Sequence, residues 1–339
     1  MDWSRGYSSK YYATIVDRAT WMDTTRVNIT GGSIQKSDDD LLESADIDCV
    51  DYEYSQNGEQ WIRVWLDTRQ EGGSYSHTPL FTGVAISPIR EIDGTLETNS
   101  IQCYSVLKPA QDVLLPRGWY APIDIDIAIL IKRLLAVTSA PVAAPEGEKK
   151  LEQSIIAEEG ETNLTMAWRL ALAAGWIIQI TGSGEIIVGP QDDSTKMFIG
   201  TTSNDIIETS VSITYDWYQC PNVFRATSNG ISAIARDDNP DSILSTIARG
   251  REIWAEENDC DLASGQSISD YAKKRLEELQ SSVMTISYNR RFNPNVGVGD
   301  IIYLDYPVQG IVGLFRVTSQ NITLGYSARV AEEAVRVWD

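Results

Sequence analysis

Histidine is nearly missing from this chain, with His77 the one example in 339 residues. That rules out the His-Glu-x-x-His helix of metalloproteases and leaves too few imidazoles for the usual Cys/His zinc sites. Cys49, Cys103, Cys220 and Cys260 are scattered, with no Cys-x-x-Cys pair. Cys49 and Cys103 fall in strand-like runs and read as buried, reduced thiols made in a cytoplasm. Basic residues are scarce too: 28 Lys and Arg against 48 Asp and Glu give a net charge of -20. That charge opposes condensation on phosphate backbones and argues against nucleic-acid recognition. No run approaches the ~18 apolar residues that a membrane span requires. The opening Met-Asp-Trp-Ser-Arg-Gly lacks a basic region followed by an apolar one, so neither Sec export nor membrane insertion is expected.

What the chain does have is core material and alternation. Hydrophobic residues make up 42% and tryptophans number 10. The length exceeds the ~250 to 300 residues at which single cores stop growing, so two barrel-sized units with smaller insertions are expected. Short alternating runs at 14–16, 26–30, 46–50, 61–67, 81–86 and 101–107 predict an antiparallel meander or barrel. In the fourth run Ile62, Val64 and Leu66 face one side as core, while Trp61, Arg63, Trp65 and Asp67 face the other. The two tryptophans mark that second face for contact, either with another surface or with a neighbouring loop. The period then changes: an apolar helix over 123–137 precedes a linker, an Ala-rich helix spans 163–174 before Gly175, and a hairpin follows around Gly182-Ser-Gly184. Strands resume at 211–215 and 222–227. A helix capped by Ser267 and Asp270 carries Ile268, Tyr271, Ala272, Leu276 and Leu279 on one stripe, and strands at 283–290, 301–305, 314–324 and 329–337 complete a second barrel. The fold class is mainly β (α+β). A first β-barrel spans 1–115 and an α+β insertion spans 116–205. A second barrel spans 206–339, with a partly helical insertion at 236–282.

No catalytic, cofactor-binding or metal-binding residue is assigned. His77 lies in a loop by composition, without a Gly-x-Ser-x-Gly elbow, and reads as an ordinary surface histidine. The acidic stretches 37–43 and 123–126 lack the spacing of a calcium loop and read as a solvated loop and a helix start. Gly182-Ser-Gly184 lies between two strands, which makes it a turn and not a phosphate cradle. The sequons at Asn28, Asn163 and Asn321 carry no meaning without export.

The segment Tyr288-Asn-Arg-Arg-Phe-Asn-Pro-Asn-Val-Gly-Val-Gly-Asp-Ile-Ile-Tyr-Leu, following the Asp270-Tyr-Ala-Lys-Lys-Arg-Leu helix, resembles the phage tail baseplate hub family. There a Pro-x-Val-x-Val-Gly-Asp segment leads into a barrel strand, and here Asp300 is placed to bond neighbouring amides. The order barrel, α+β insertion, strand pair, helical insertion, remaining strands is similar to that family's layout. The resemblance implies two tube-like barrels per subunit and a homotrimer forming a pseudo-sixfold ring. A tail tube protein would meet one face and a spike or tail-tip protein the other, with tape-measure and further baseplate proteins as additional partners, in a virion baseplate assembled in the host cytoplasm. On that reading Asp38, Asp39, Asp40, Glu43, Glu91 and Asp93 are lumen candidates, since acids there let DNA pass without adhering, and no enzyme activity is expected. The alternatives are a tail-tip enzyme or glycan-binding module acting on cell wall, and a tail tube subunit.

Overall fold

The computed structural model describes residues 7–38, 41–50, 52, 58–93, 96–200, 207–218, 220–262, 266–281, 283–325 and 329–337. Six strands open the chain: β1 (Ser8–Val16), β2 (Asp23–Ser37), β3 (Glu43–Val50), β4 (Gln60–Arg69), β5 (Ser76–Asp93) and β6 (Leu96–Ser105). Their antiparallel pairings run β1–β4–β5–β6–β3–β2 and return to β1 between Ala13–Val16 and Asp23–Val27, so the ring closes into a barrel and leaves the far end of β2 to pair elsewhere. Alternation builds its interior: Ile62, Val64 and Leu66 of β4 meet Ile34, Ile47, Phe81 and Ile101 in one core. Cys49 and Cys103 join that core, both buried. Pro79 interrupts β5 where the register with β4 shifts, the position at which a strand tolerates a missing N–H. Past Ala85, β5 pairs only with β6, and this projecting hairpin exposes Ile86, Ile89 and Ile92.

The insertion comprises α1 (Lys108–Asp112), β7 (Tyr120–Ala121), α2 (Ile127–Leu135), β8 (Val142–Ala143), β9 (Ile155–Ile156), α3 (Asn163–Ala174), β10 (Ile177–Ile180) and β11 (Ile186–Gly189). Helix α2 starts later than the apolar run at 123–137 predicts. Asp124 adopts a left-handed φ of 60°, and the Asp126 carboxylate accepts from the amides of Ala128 and Ile129, so the acids sit before the helix as its cap. Helix α3 matches its expected span, from a Thr162–Thr165 capping box to Gly175 at φ 70°. Leu130, Ile131, Leu134, Leu164, Met166 and Leu170 pack between the helices, in a core that also takes in Val16, Trp61 and Val84 of the barrel.

The remaining elements are β12 (Thr195–Gly200), β13 (Ile207–Tyr215), β14 (Val223–Ser228), β15 (Ile231–Arg236), α4 (Thr246–Arg249), β16 (Trp254–Glu257), α5 (Ile268–Ser281), β17 (Met284–Arg291), β18 (Ile301–Tyr306), β19 (Ile311–Thr323) and β20 (Arg329–Arg336). The path β12–β18–β19–β20–β17–β13 stays open among the described residues, so the second set of strands differs from the closed first barrel. It recruits β12 from the segment that the sequence reading leaves in the insertion. Conversely β14, read as a strand of the second barrel, lies in a separate sheet beneath α5 with β16 and with β15, a strand the alternation did not mark; Asn229 and Gly230, both at positive φ, turn β14 tightly into β15. Helix α5 begins at Ser267, whose Oγ accepts from the Asp270 amide, and buries Tyr271, Ala272 and Leu276 as its stripe predicts. Residues 33–37 of β2 pair with 319–323 of β19, which fuses barrel and open sheet into one twelve-stranded surface.

Burial pushes the Cys103 thiol far above its ordinary range and the Cys220 thiol up to about 11. A thiolate-seeking reagent such as DTNB at mildly alkaline pH should therefore label none of the four cysteines in the folded protein and all of them after denaturation. Rapid native labelling of Cys103 would contradict the burial. Among the described residues no helix is long and apolar enough to cross a membrane.

Candidate functional site: the junction of barrel, insertion and open sheet

Strand β4 is buried on both faces. Trp61 is only 2% exposed and tilts against Trp21 at 5.5 Å, so its contact surface is the insertion of its own chain rather than a partner. Arg63 explains why this face is closed. Its guanidinium donates to Asp23 Oδ1 at 2.7 Å, to Thr82 Oγ1 at 3.0 Å and to the Ser183 carbonyl at 3.0 Å. Trp21 Nε1 donates to that same carbonyl at 3.0 Å, and Thr82 Oγ1 donates to the Gly182 carbonyl at 2.8 Å. The hairpin at Gly182-Ser-Gly184 is thus a turn that docks on β4 and β5, and both glycines are needed there. A Cβ on Gly182 would lie 2.0 Å from the Pro79 carbonyl oxygen, and one on Gly184 would lie 2.8 Å from Thr82 Cβ. Trp65 remains half-buried on the outer face, stacked on Tyr12, with Nε1 donating to Thr14 Oγ1 at 3.1 Å.

The acidic candidates separate. Asp38 and Glu91 are exposed, Asp93 ends β5, and Asp39 and Asp40 lie outside the described residues. Glu43 departs from the expectation of a lumen-facing acid. At 4% exposure it is enclosed at the start of β3, with Oε2 3.1 Å from Lys36 Nζ and Oε1 without a hydrogen-bond partner among the described residues. Burial pushes its carboxyl above the ordinary range, and the neighbouring Lys36 pulls in the opposite direction. His77 sits in β5 instead of a loop, its Nδ1 2.5 Å from Asp67 Oδ1, with a half-exposed side chain.

A cavity of about 570 Å³ opens between the β2–β3 turn, β10, β19 and the 292–300 segment. The Pro294-to-Asp300 motif forms one wall. Asp300 Oδ2 accepts the Gly297 amide at 2.8 Å, as its position before a strand suggests, and the Gly299 carbonyl accepts from Arg316 at 2.9 Å. Behind this wall lies a buried ion pair. Arg290 donates to both oxygens of Glu332 at 2.6 Å, with side chains 1% and 0% exposed, and Gln320 Nε2 donates to Glu332 Oε1 at 2.6 Å. Every charge in that group is compensated, which suits a structural pin better than proton transfer. A second polar clasp escaped sequence reasoning altogether. Arg169 of α3 donates to Glu161 at 2.9 Å and to Asp261 at 3.0 Å, tying the insertion to the loop after β16. Nothing local signals a contact across so many intervening residues. Among the described residues no group of three potential ligands is placed to hold a metal ion.

No protein-family model matches the sequence, and no curated protein matches it by sequence. Solved structures do share the fold. The 43 kDa tail protein of prophage MuSo2 from Shewanella oneidensis is 13% identical with a TM-score of 0.68, over 97% of this chain and 98% of that one. A tail protein from Neisseria meningitidis MC58 is 14% identical with a TM-score of 0.69, again over 97% and 98%. An E. coli type VI secretion system component, described as structurally similar to T4 bacteriophage tail proteins gp27 and gp5, is 9% identical with a TM-score of 0.53, over 92% and 75%. The resemblance read from motif and layout therefore holds at the level of fold.

Proposed function

We propose that this chain is a structural baseplate hub of a phage tail or related contractile injection system, located in the virion. Three copies would close a pseudo-sixfold ring that joins the tail tube to a spike or tail-tip protein, with tape-measure or other baseplate proteins as further contacts. The observation that carries this reading is the fusion of two strand modules into one sheet through β2 and β19, within a fold shared with phage tail proteins over 97% of the chain. Two modules per subunit would give six around a threefold axis. Unmet apolar surface supports assembly. The outer edge of β13 has no second partner among the described residues, and Ile213, Tyr215, Trp217 and Tyr218 are exposed on and just beyond it. The β5–β6 hairpin presents its three isoleucines. The net charge of -20 suits a conduit that DNA traverses without adhering, with exposed Asp38 and Glu91 as lumen candidates and Trp65 as a candidate for subunit contact.

Mass measurement with and without purified tail tube protein tests the reading. Three-subunit species that image as rings coaxial with a tube are expected. A single-subunit mass and no ring on mixing would sink it. One observation favours the rival glycan-binding class: Tyr215 and Trp217 stack at 5.6 Å and 9° on an exposed surface, a flat platform for a sugar face. Binding of soluble cell-wall fragments that disappears in Trp217→Ala, with no ring formed, would favour that class instead.

A further inference from the structure

We infer that the lobe formed by β14, β15, β16, α4 and α5 is a hinged arm, and that Arg169 of the insertion is the latch that holds it closed. The lobe has a core of its own. Phe224, Ala226, Ala235, Tyr271, Ala272 and Leu276 pack together in a cluster that takes no side chain from the barrel, the insertion or the open sheet. Its root is narrow: the chain leaves the open sheet at Tyr215 and returns at Met284, and these two residues are partners in the β13–β17 register. The Asp216 amide donates to the Val283 carbonyl at 2.9 Å, so the two crossings lie side by side. Two adjacent crossings can absorb a rotation that a broad apolar interface would resist.

Strand β14 runs from this root to Ser228, whose Oγ donates to the Cys260 carbonyl at 2.7 Å, so Asp261 lies at the lobe's far end. There the insertion meets it through polar side chains. Arg169 Nε and Nη2 both donate to Asp261 Oδ2, at 3.2 and 3.0 Å, and Asn229 donates to the Gln153 side chain. The guanidinium is fixed from the insertion side: Nη1 donates to the two Glu161 oxygens at 3.2 and 2.9 Å, and Glu161 accepts the Glu158 amide at 2.8 Å. Arg169 thus stands between carboxylates that belong to different units. Burial raises the Asp261 carboxyl above its ordinary range, Arg169 pulls it down, and Glu161 and Glu158 push it up again. Without Arg169 the attraction between arm and insertion becomes repulsion, while neither apolar core loses a member. This hinge goes beyond the ring reading and stands whether or not the ring forms.

Spin labels at Arg133→Cys on α2 and Lys273→Cys on α5 report the arm's position by pulsed dipolar EPR, since both sites are exposed and the four native cysteines are buried. With Arg169 in place the labelled protein should give one narrow distance. Arg169→Met should enlarge a longer-distance population about tenfold or more, the equivalent of one hydrogen bond to a charged group, while the near-ultraviolet signal of a folded core persists. Adding Asp261→Asn to Arg169→Met removes the repulsion and should return most of that population to the short distance. A broad distribution with Arg169 in place, a single unchanged distance in folded Arg169→Met, or a longer distance that Asp261→Asn does not reverse would each overturn the latch.

Discussion

Replacing Glu332 by alanine should destabilise the open sheet by about 3–5 kcal/mol, the loss expected when one member of a buried ion pair is removed. Arg290 would keep its charge at 1% exposure without its carboxylate partner, and Gln320 would lose its bond to Glu332 Oε1 at 2.6 Å. The penalty comes from the stranded charge rather than from the lost attraction. The paired replacement Arg290→Met with Glu332→Met should therefore recover most of the loss, since apolar residues of similar volume fill the site without desolvating a charge. Urea melts of both variants beside the unchanged protein check this. A loss under ~1 kcal/mol for Glu332→Ala, the level of a surface pair, would mean that water reaches Arg290 and that the enclosure is incomplete. The three residues belong to β17, β19 and β20, so the pin registers three neighbouring strands at the point where the sheet turns toward the barrel.

Gly182→Val should release the insertion from the barrel. The clash at 2.0 Å is with the Pro79 carbonyl oxygen, with the Leu80 amide 3.0 Å away, and backbone atoms of a paired strand cannot rotate aside as a side chain would. Docking would be weakened by more than the ~1–3 kcal/mol of ordinary overpacking, because the bonds from Thr82, Arg63 and Trp21 to the hairpin carbonyls are lost with it. Protease cleavage in the exposed 192–195 segment should then accelerate about tenfold or more as the undocked population grows, and Trp21 fluorescence should shift to longer wavelength. Ser183→Ala is the control. Its carbonyl, not its hydroxyl, makes the contacts across the interface, so cleavage should stay near the wild-type rate. Wild-type cleavage kinetics in Gly182→Val would show that the hairpin does not hold the two units together.

Periodicity made the local elements legible. The alternation of Ile62, Val64 and Leu66 identified the core side of β4, and Thr162, Gly175 and Ser267 marked helix ends because caps are chemical signals confined to a few residues. Partner choice was not legible. The same alternation that placed β14 as a strand could not reveal that α5, rather than the barrel, covers it. Nor could it reveal that Trp61 and Arg63 face a hairpin more than a hundred residues away. Glu43 was misjudged for a related reason. It lies in an acid-rich stretch that reads as solvated, yet the register of β3 turns it inward beside Lys36. The motif at 294–300 supplied the family resemblance but gave no sign that it also walls a cavity.

The pairing of β2 with β19 has a consequence for biogenesis. Strand β2 emerges early in synthesis, and its outer edge at 33–37 waits for 319–323 before its hydrogen bonds are satisfied. Contacts of such long sequence separation form late, after the barrel and insertion have had time to collapse. A chain that is stalled or cut before β19 therefore displays an open template strand, a hazard for aberrant pairing and a ready mark for proteolysis. Completion of the sheet removes that hazard, and a partial chain lacks the joined surface that the whole subunit carries.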